Sequence, residues 1–344
     1  MLNVNAPKNF TATCDQEAED LLKKVLLEIK ETLKDTNLCV LLGGSYGRGD
    51  GGVRLDRENG LLYNDLDFFV FATKSSPSDQ VLLKEIAKKY EEILHVDVDF
   101  SRIMTVKDIQ KNAMRLMMQE LKRGYFLVCG EDLLAKHLVE IPSCNIPFQE
   151  ACRLLLNRGM GLILAGDKLA NNSPDLDFIL RNIYKAILGT GDAILIANNL
   201  YDWKIANRIT KIEQLDILDD WKKLYQEAVQ FKHSPSRIKK DNLLDFYLKV
   251  KEFFNFGLLY CAKANDKTNL VDALKKQCIK NKEVSIANYI KYCIKSRSLV
   301  VKDFYLYFLP PVTSILPTLY NSLEDMPCSI EKSSKLYKLW LIFN

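Results

Sequence analysis

The sequence predicts an α/β (α+β) segment built around a small mixed or parallel sheet, followed by an all-α helical region. Three observations carry that expectation. Up to about residue 140, amphipathic stretches of helical period alternate with short β-rich runs, the order of a layered α/β structure. At 141–148, "IPSCNIPF" places two prolines in eight residues and reads as a linker. Beyond Phe148 the apolar pattern settles into a period near 3.6. The expected division is therefore 1–145 and 146–344, and a chain of 344 residues is long enough for two cores.

Taken in order, "TCDQEAEDLLKKVLLEIKETLKD" predicts a helix capped by Thr13 or Asp15, with Leu21, Leu22, Val25, Leu26, Ile29 and Leu33 on one face. The apolar run Leu38–Leu42 predicts a strand that leads into "GGSYGRGDGG" (43–52), where six of ten residues are glycine. The stretch 55–64 is polar and turn-like, with a hairpin expected at Asn59-Gly60. "DLDFFVFAT" (65–73) predicts a second strand and residues 79–94 a helix. "HVDVDFSRI" (95–103) alternates with period two, a strand pattern. Thr105 with Asp108 forms a capping box that opens a helix through Leu121, stopped at Gly124, and "YFLVCG" supplies a last strand. Four long helical stretches follow, within 148–166, 177–201, 212–232 and 243–263.

Composition bounds the function. Hydrophobic content of 48% and charged content of 27% are those of a soluble globular chain. A net charge of +4 does not by itself argue for a nucleic-acid partner. The nine cysteines are scattered without a C-x-x-C pair, which argues against a disulfide framework or zinc site and for free thiols in a cytoplasmic location. The first twenty residues lack the features of a signal peptide, and no apolar run is long enough for a membrane span, so no membrane partner is expected.

The chemistry concentrates between residues 43 and 99. Asp65 and Asp67 are two apart on a strand, so their side chains leave the same face; Asp97 and Asp99 repeat the arrangement on the later strand. Carboxylates crowded on one face repel unless a cation offsets them, and Mg²⁺ prefers such oxygens while keeping positions open for phosphate. Gly43, Gly44 and Ser45 follow a strand with bare backbone N–H groups and a hydroxyl, which phosphate oxygens can approach closely. A phosphate cradle beside a carboxylate cluster is what two-metal nucleotidyl transfer requires. Arg48 reads either as a phosphate contact or as an ion-pair partner of Asp50, Asp65 or Asp67; Arg54 and Arg57 read as solvated.

In "GGSYGRGDGG", "NDLDFFVF" and "VDVDFSRI" the chain resembles the DNA polymerase beta-type nucleotidyltransferase superfamily, whose members carry Gly-Ser, Asp-x-Asp and a third carboxylate on a neighbouring strand. The resemblance spans residues 38–103. It implies a nucleotidyltransferase core with a mixed sheet, followed by a helical-bundle domain like that of antibiotic-type members. It also implies that Ser45 and the amides at Gly44–Ser45 hold an NTP's phosphates. Asp65 and Asp67 would bind two Mg²⁺ ions (Mn²⁺ as substitute), and Asp97 or Asp99 would complete the metal site. Position alone does not choose between the last two. The spacer from Ser45 to Asp65 is longer than the family's usual dozen residues.

In the helical half, Arg181 and Lys185 lie one turn apart in an apolar helix, along with Asp192. They read as a basic pair for the triphosphate or as a solvated face. Arg158 within an apolar helix calls for a partner, and Gly159 and Gly161 suit close helix packing. "KHSPSRIKK" (232–240) is a basic turn. The expected activity is Mg²⁺-dependent transfer of NMP from an NTP to a hydroxyl, with release of pyrophosphate. The acceptor classes are a small molecule, tRNA, a protein side chain or a second nucleotide, as in signalling-nucleotide synthases. The alternative is a catalytically inactive nucleotide-binding or scaffold protein on the same fold.

Overall fold

The computed structural model describes residues 7–55, 60–173, 175–235, 242–297, 304–328 and 334–343. The protein is mixed α/β, a four-stranded mixed sheet with many helices. It divides into two compact units, Met1–Pro142 with Gln230–Ser236, and Ser143–Val229 with Arg237–Asn344. A division at 145/146 is linear in sequence; the first unit is not.

The first unit runs α1 (Gln16–Leu33), β1 (Cys39–Leu42), α2 (Gly44–Gly47), β2 (Leu66–Phe71), α3 (Pro77–Leu94), β3 (Val98–Phe100), α4 (Val106–Lys111), α5 (Leu116–Arg123), β4 (Phe126–Cys129) and α6 (Leu133–His137). Asp15 is the α1 cap, accepting the Ala18 N–H at 3.0 Å, and Leu22, Val25, Leu26, Ile29 and Leu33 are buried. The sheet order is β3-β2-β1-β4. β1 is antiparallel to β2 and to β4, while β2 and β3 are parallel. β1 is central and buried throughout, which suits its unbroken apolar run. One core cluster contains Leu22, Ile29, Val40, Leu42, Phe68 and Val70. A second contains Leu41, Phe71, Met118, Leu121 and Tyr125. The two sets alternate along β1, so each face of the strand packs its own cluster.

Two expected elements of this unit are shorter or divided. The strand expected at 95–103 spans only 98–100, because His95 takes a left-handed conformation (φ 55°) as the C-cap of α3. The helix expected from Thr105 through Leu121 splits at 112–115, although its capping box forms. There the Asn112 side chain donates to the Asp108 carbonyl at 2.8 Å, and Gln119 Nε2 donates to the Ala113 carbonyl at 2.7 Å. Side-chain bonds thus supplement the short-range backbone turns that take the place of the helical ladder across the break. Val53 pairs antiparallel with Leu62, but the expected turn at Asn59 falls outside the described residues.

Every described regular element of the second unit is helical: α7 (Phe148–Ala170), α8 (Leu176–Ala197), α9 (Ile205–Glu213), α10 (Asp219–His233, which crosses into the first unit at residue 230), α11 (Leu243–Ala262), α12 (Leu270–Lys280), α13 (Ile286–Ser296), α14 (Pro311–Ser314), α15 (Leu316–Glu324) and α16 (Lys335–Phe343), with short 3₁₀ turns. The stretch 212–232, expected as one helix, is the last two residues of α9 and all of α10 but His233, separated by a turn. α7 packs on α8, and the missing side chains of Gly161 and Gly189 make room for Asn182 and for the stem of Arg158. Gly159 instead faces Leu319 and Phe254. Among the described residues no helix is long and apolar enough to cross a membrane.

Candidate phosphate and carboxylate site

The glycine turn is held by backbone and by one aromatic side chain. The Gly43 N–H donates to the Asp67 carbonyl at 2.8 Å, so the turn begins bonded to β2 at the residue of interest. The Gly47 N–H closes back on the Gly43 carbonyl at 2.7 Å, and the Asp50 N–H reaches the Ser45 carbonyl at 2.9 Å. Tyr46 is fully buried; its hydroxyl donates to the Gly52 carbonyl (2.9 Å) and accepts the Tyr63 N–H (3.1 Å). Burial holds that phenol protonated, as both bonds need. This hydroxyl fastens the long spacer onto the turn.

Gly44 is left-handed at φ +58°, and a Cβ built on it would collide with the Asp67 carboxylate. The turn's bare backbone and the Asp67 oxygens are therefore neighbours. The register of the parallel pair sets Asp67 opposite Asp99. Asp97 lies just before β3, and its carbonyl accepts the Leu66 N–H at 2.9 Å. Asp65 and Asp67 are half-buried, while Asp97 and Asp99 are exposed. The Asp99 carboxyl is pushed above its ordinary value, first by partial burial and then by the like charges of Asp65, Asp97 and Glu91. Like charge from both strands thus bears on this carboxyl.

As donors, the set fits a hard divalent cation, being carboxylate oxygens from adjacent strands. Among the described residues, no three His, Cys, Asp or Glu side chains converge as a ready metal-ligand group. The fit rests on donor chemistry and on the juxtaposition of Asp67 with Asp99, not on a preformed shell.

Arg48, expected either at phosphate or in an ion pair, is engaged with Asp50 (3.9 Å) and Glu120 (3.7 Å). Asp50 also meets Lys232 at 3.4 Å, and Phe231 packs edge-on against Tyr63. Phe231 and Lys232 thereby brace the spacer; Lys232 opens the expected basic turn, whose residues 236–240 lie outside the described residues. Arg54 is not simply solvated: its Nε donates to the Leu62 carbonyl at 3.1 Å and its guanidinium lies over Tyr63. Arg57 falls outside the described residues.

Arg181 and Lys185 lie one turn apart on α8 in the second unit, both half-buried. Asp175 is held below its ordinary value chiefly by the hydrogen bond from Lys168, with Arg181 contributing least. Asp192, on the same helix, forms a buried network: Arg208 donates to it at 2.8 Å and the Tyr225 hydroxyl at 2.7 Å. Arg158 is half-buried with its stem against Gly189, and the neighbouring Asn157 accepts the Trp340 indole N–H at 3.3 Å. Compared with known protein families, curated proteins and solved structures, the chain matches none.

Proposed function

We propose that the protein is a metal-dependent nucleotidyltransferase of the polymerase-beta type. The observation that carries this reading is the contact of Gly44 with Asp67, which sets bare backbone amides against a carboxylate that is itself in register with Asp99. The Gly44 and Ser45 amides and the Ser45 hydroxyl hold phosphate oxygens of the NTP. Asp65, Asp67 and Asp99 would hold Mg²⁺. When bound, the metal supplies charge stabilisation for the transferring phosphoryl group and its pyrophosphate leaving group. Asp99 would accept the proton of the acceptor hydroxyl at Oδ. The hydroxyl oxygen then bonds to the α-phosphorus as the bond to pyrophosphate breaks. Arg48 acts through Asp50 and Glu120 in bracing the turn. The acceptor is a small molecule, tRNA, a protein side chain or a second nucleotide, and the modest net charge of +4 favours the small ones.

The test incubates the purified protein with each α-labelled NTP, Mg²⁺ and cell extract fractions. Pyrophosphate release with label in one fraction, lost in Asp67→Asn, is expected. Tight NTP binding without pyrophosphate release from any fraction would support the inactive binding protein instead.

A further inference from the structure

α13 presents isoleucine to solvent. Ile286, Ile290 and Ile294 are 66%, 50% and 71% exposed, and their spacing of four places them in one stripe. The helix is not free to roll them inward, because its other face is committed. Tyr292 is buried between Tyr307 (4.4 Å) and Phe343 (5.4 Å), and Tyr289 stacks on Phe308 at 5.6 Å. Asn288 Nδ2 also donates to the Phe308 carbonyl at 3.0 Å. Val284 in the turn before the helix is exposed too, as is Ile279 in the last turn of α12.

Charge says what covers this stripe. Between Lys275 and Arg297 the chain has seven basic residues and one acid, Glu283, and that acid faces inward. Lys291 borders the stripe and Arg297 ends it, while the Lys295 ammonium turns to the Ile342 carbonyl at 3.4 Å and the Phe343 ring. A second copy would bring the same positive charge and be repelled. A nucleic acid would satisfy the lysines but give the isoleucines nothing. An acidic protein would need a groove to receive a ridge. An anionic bilayer takes both, with isoleucines at the acyl boundary and lysines at the phosphates.

We propose that α13 and the turn before it form a peripheral docking surface for an anionic phospholipid bilayer. This stands apart from the nucleotidyltransferase reading and does not depend on it. The full chain is sedimented with vesicles of phosphatidylcholine alone or mixed with phosphatidylglycerol, at low and high salt. Binding is expected only to the anionic vesicles and is weakened by salt. Ile290→Ser and Ile294→Ser should each lower the partition by about tenfold, and Lys291→Ser by about fivefold. Leu27→Ser, an exposed apolar position on α1, should change nothing. Melting curves matching the parent show that the variants are folded. Absence of binding to anionic vesicles, or binding untouched by the isoleucine changes, overturns the proposal. So does isoleucine-dependent dimerisation, or isoleucine-dependent retention on immobilised polyglutamate, without vesicle binding.

Discussion

At Gly44 two demands coincide, a left-handed backbone and the space taken by the Asp67 carboxylate. Gly44→Ala should therefore be damaging on both counts, with strain on the order of 1–3 kcal/mol and displacement of Asp67. Ser45 differs: its hydroxyl has no partner among the described residues. Ser45→Ala should leave the melting temperature unchanged while lowering kcat/KM for NTP by roughly 10- to 100-fold, one charge-assisted hydrogen bond. Equal kinetics in the Ser45→Ala enzyme would remove the hydroxyl from the site. Register also separates two aspartates that spacing alone leaves equivalent. Asp99→Asn should abolish transfer, whereas Asp97→Asn, opposite no strand partner, should retain it. Asp65→Asn and Asp67→Asn should likewise be inactive, with metal-free stability kept or slightly raised because like-charge repulsion falls. Unfolding of the Asn variants with activity per folded molecule intact would make these aspartates structural.

Among the elements, the first turn of α1 carries a buried carboxylate, Glu19, and the first turn of α7 is met by a half-buried one, Glu283. Glu19 accepts the Phe10 N–H (3.0 Å), the Thr11 N–H (2.8 Å) and the Thr11 hydroxyl (2.8 Å). The strip it fixes pairs in turn with Gly51, behind the glycine turn. Glu19→Ala leaves those donors buried and unmet, so a loss of roughly 3 kcal/mol is expected in denaturant melts. Glu283 accepts the Gln149 N–H at 3.0 Å with Oε1, while its Oε2 is buried and unmatched among the described residues. Burial raises its carboxyl from 4.5 to about 7, with Glu150 adding to the effect. The folded state thus holds this proton more tightly than the unfolded chain, and stability should fall as pH rises from about 4.5 to about 7. Glu283→Gln keeps the acceptor and removes the charge. At pH 8 it should be more stable than the parent by on the order of 1–2 kcal/mol, and a parent-like pH profile in the variant would refute the assignment. Patterns of this kind were only partly legible in the sequence. Caps are local: Thr105 is where the reading expected it, and Asp15 is one of the two residues it offered for α1. The break after Lys111 and the short β3 are not legible because side-chain bonds and a helix cap override periodicity. Lys232 escaped because its partner Asp50 lies 182 residues away.

Over the whole molecule, the nine cysteines are free, and five of them are buried (Cys39, Cys129, Cys152, Cys261 and Cys278). Burial raises these five thiols, Cys39 to about 12. Thiol titration of the native protein should modify Cys14 and Cys144 first, with the buried five reacting only on denaturation. Five thiols reacting rapidly in the native state would contradict the packing. Reductant should leave the melting temperature unchanged.

The first unit is assembled from two stretches of chain, the second being residues 230–236, where Lys232 and Phe231 meet Asp50 and Tyr63. On a ribosome, the opening 142 residues emerge long before their last piece. That unit therefore stays incomplete while α7, α8 and α9 are being made, and its final closure waits on the synthesis of a different unit. A nascent chain stalled ahead of residue 230 should be cleaved by protease near Asp50 and Tyr63, and one released beyond 236 should resist.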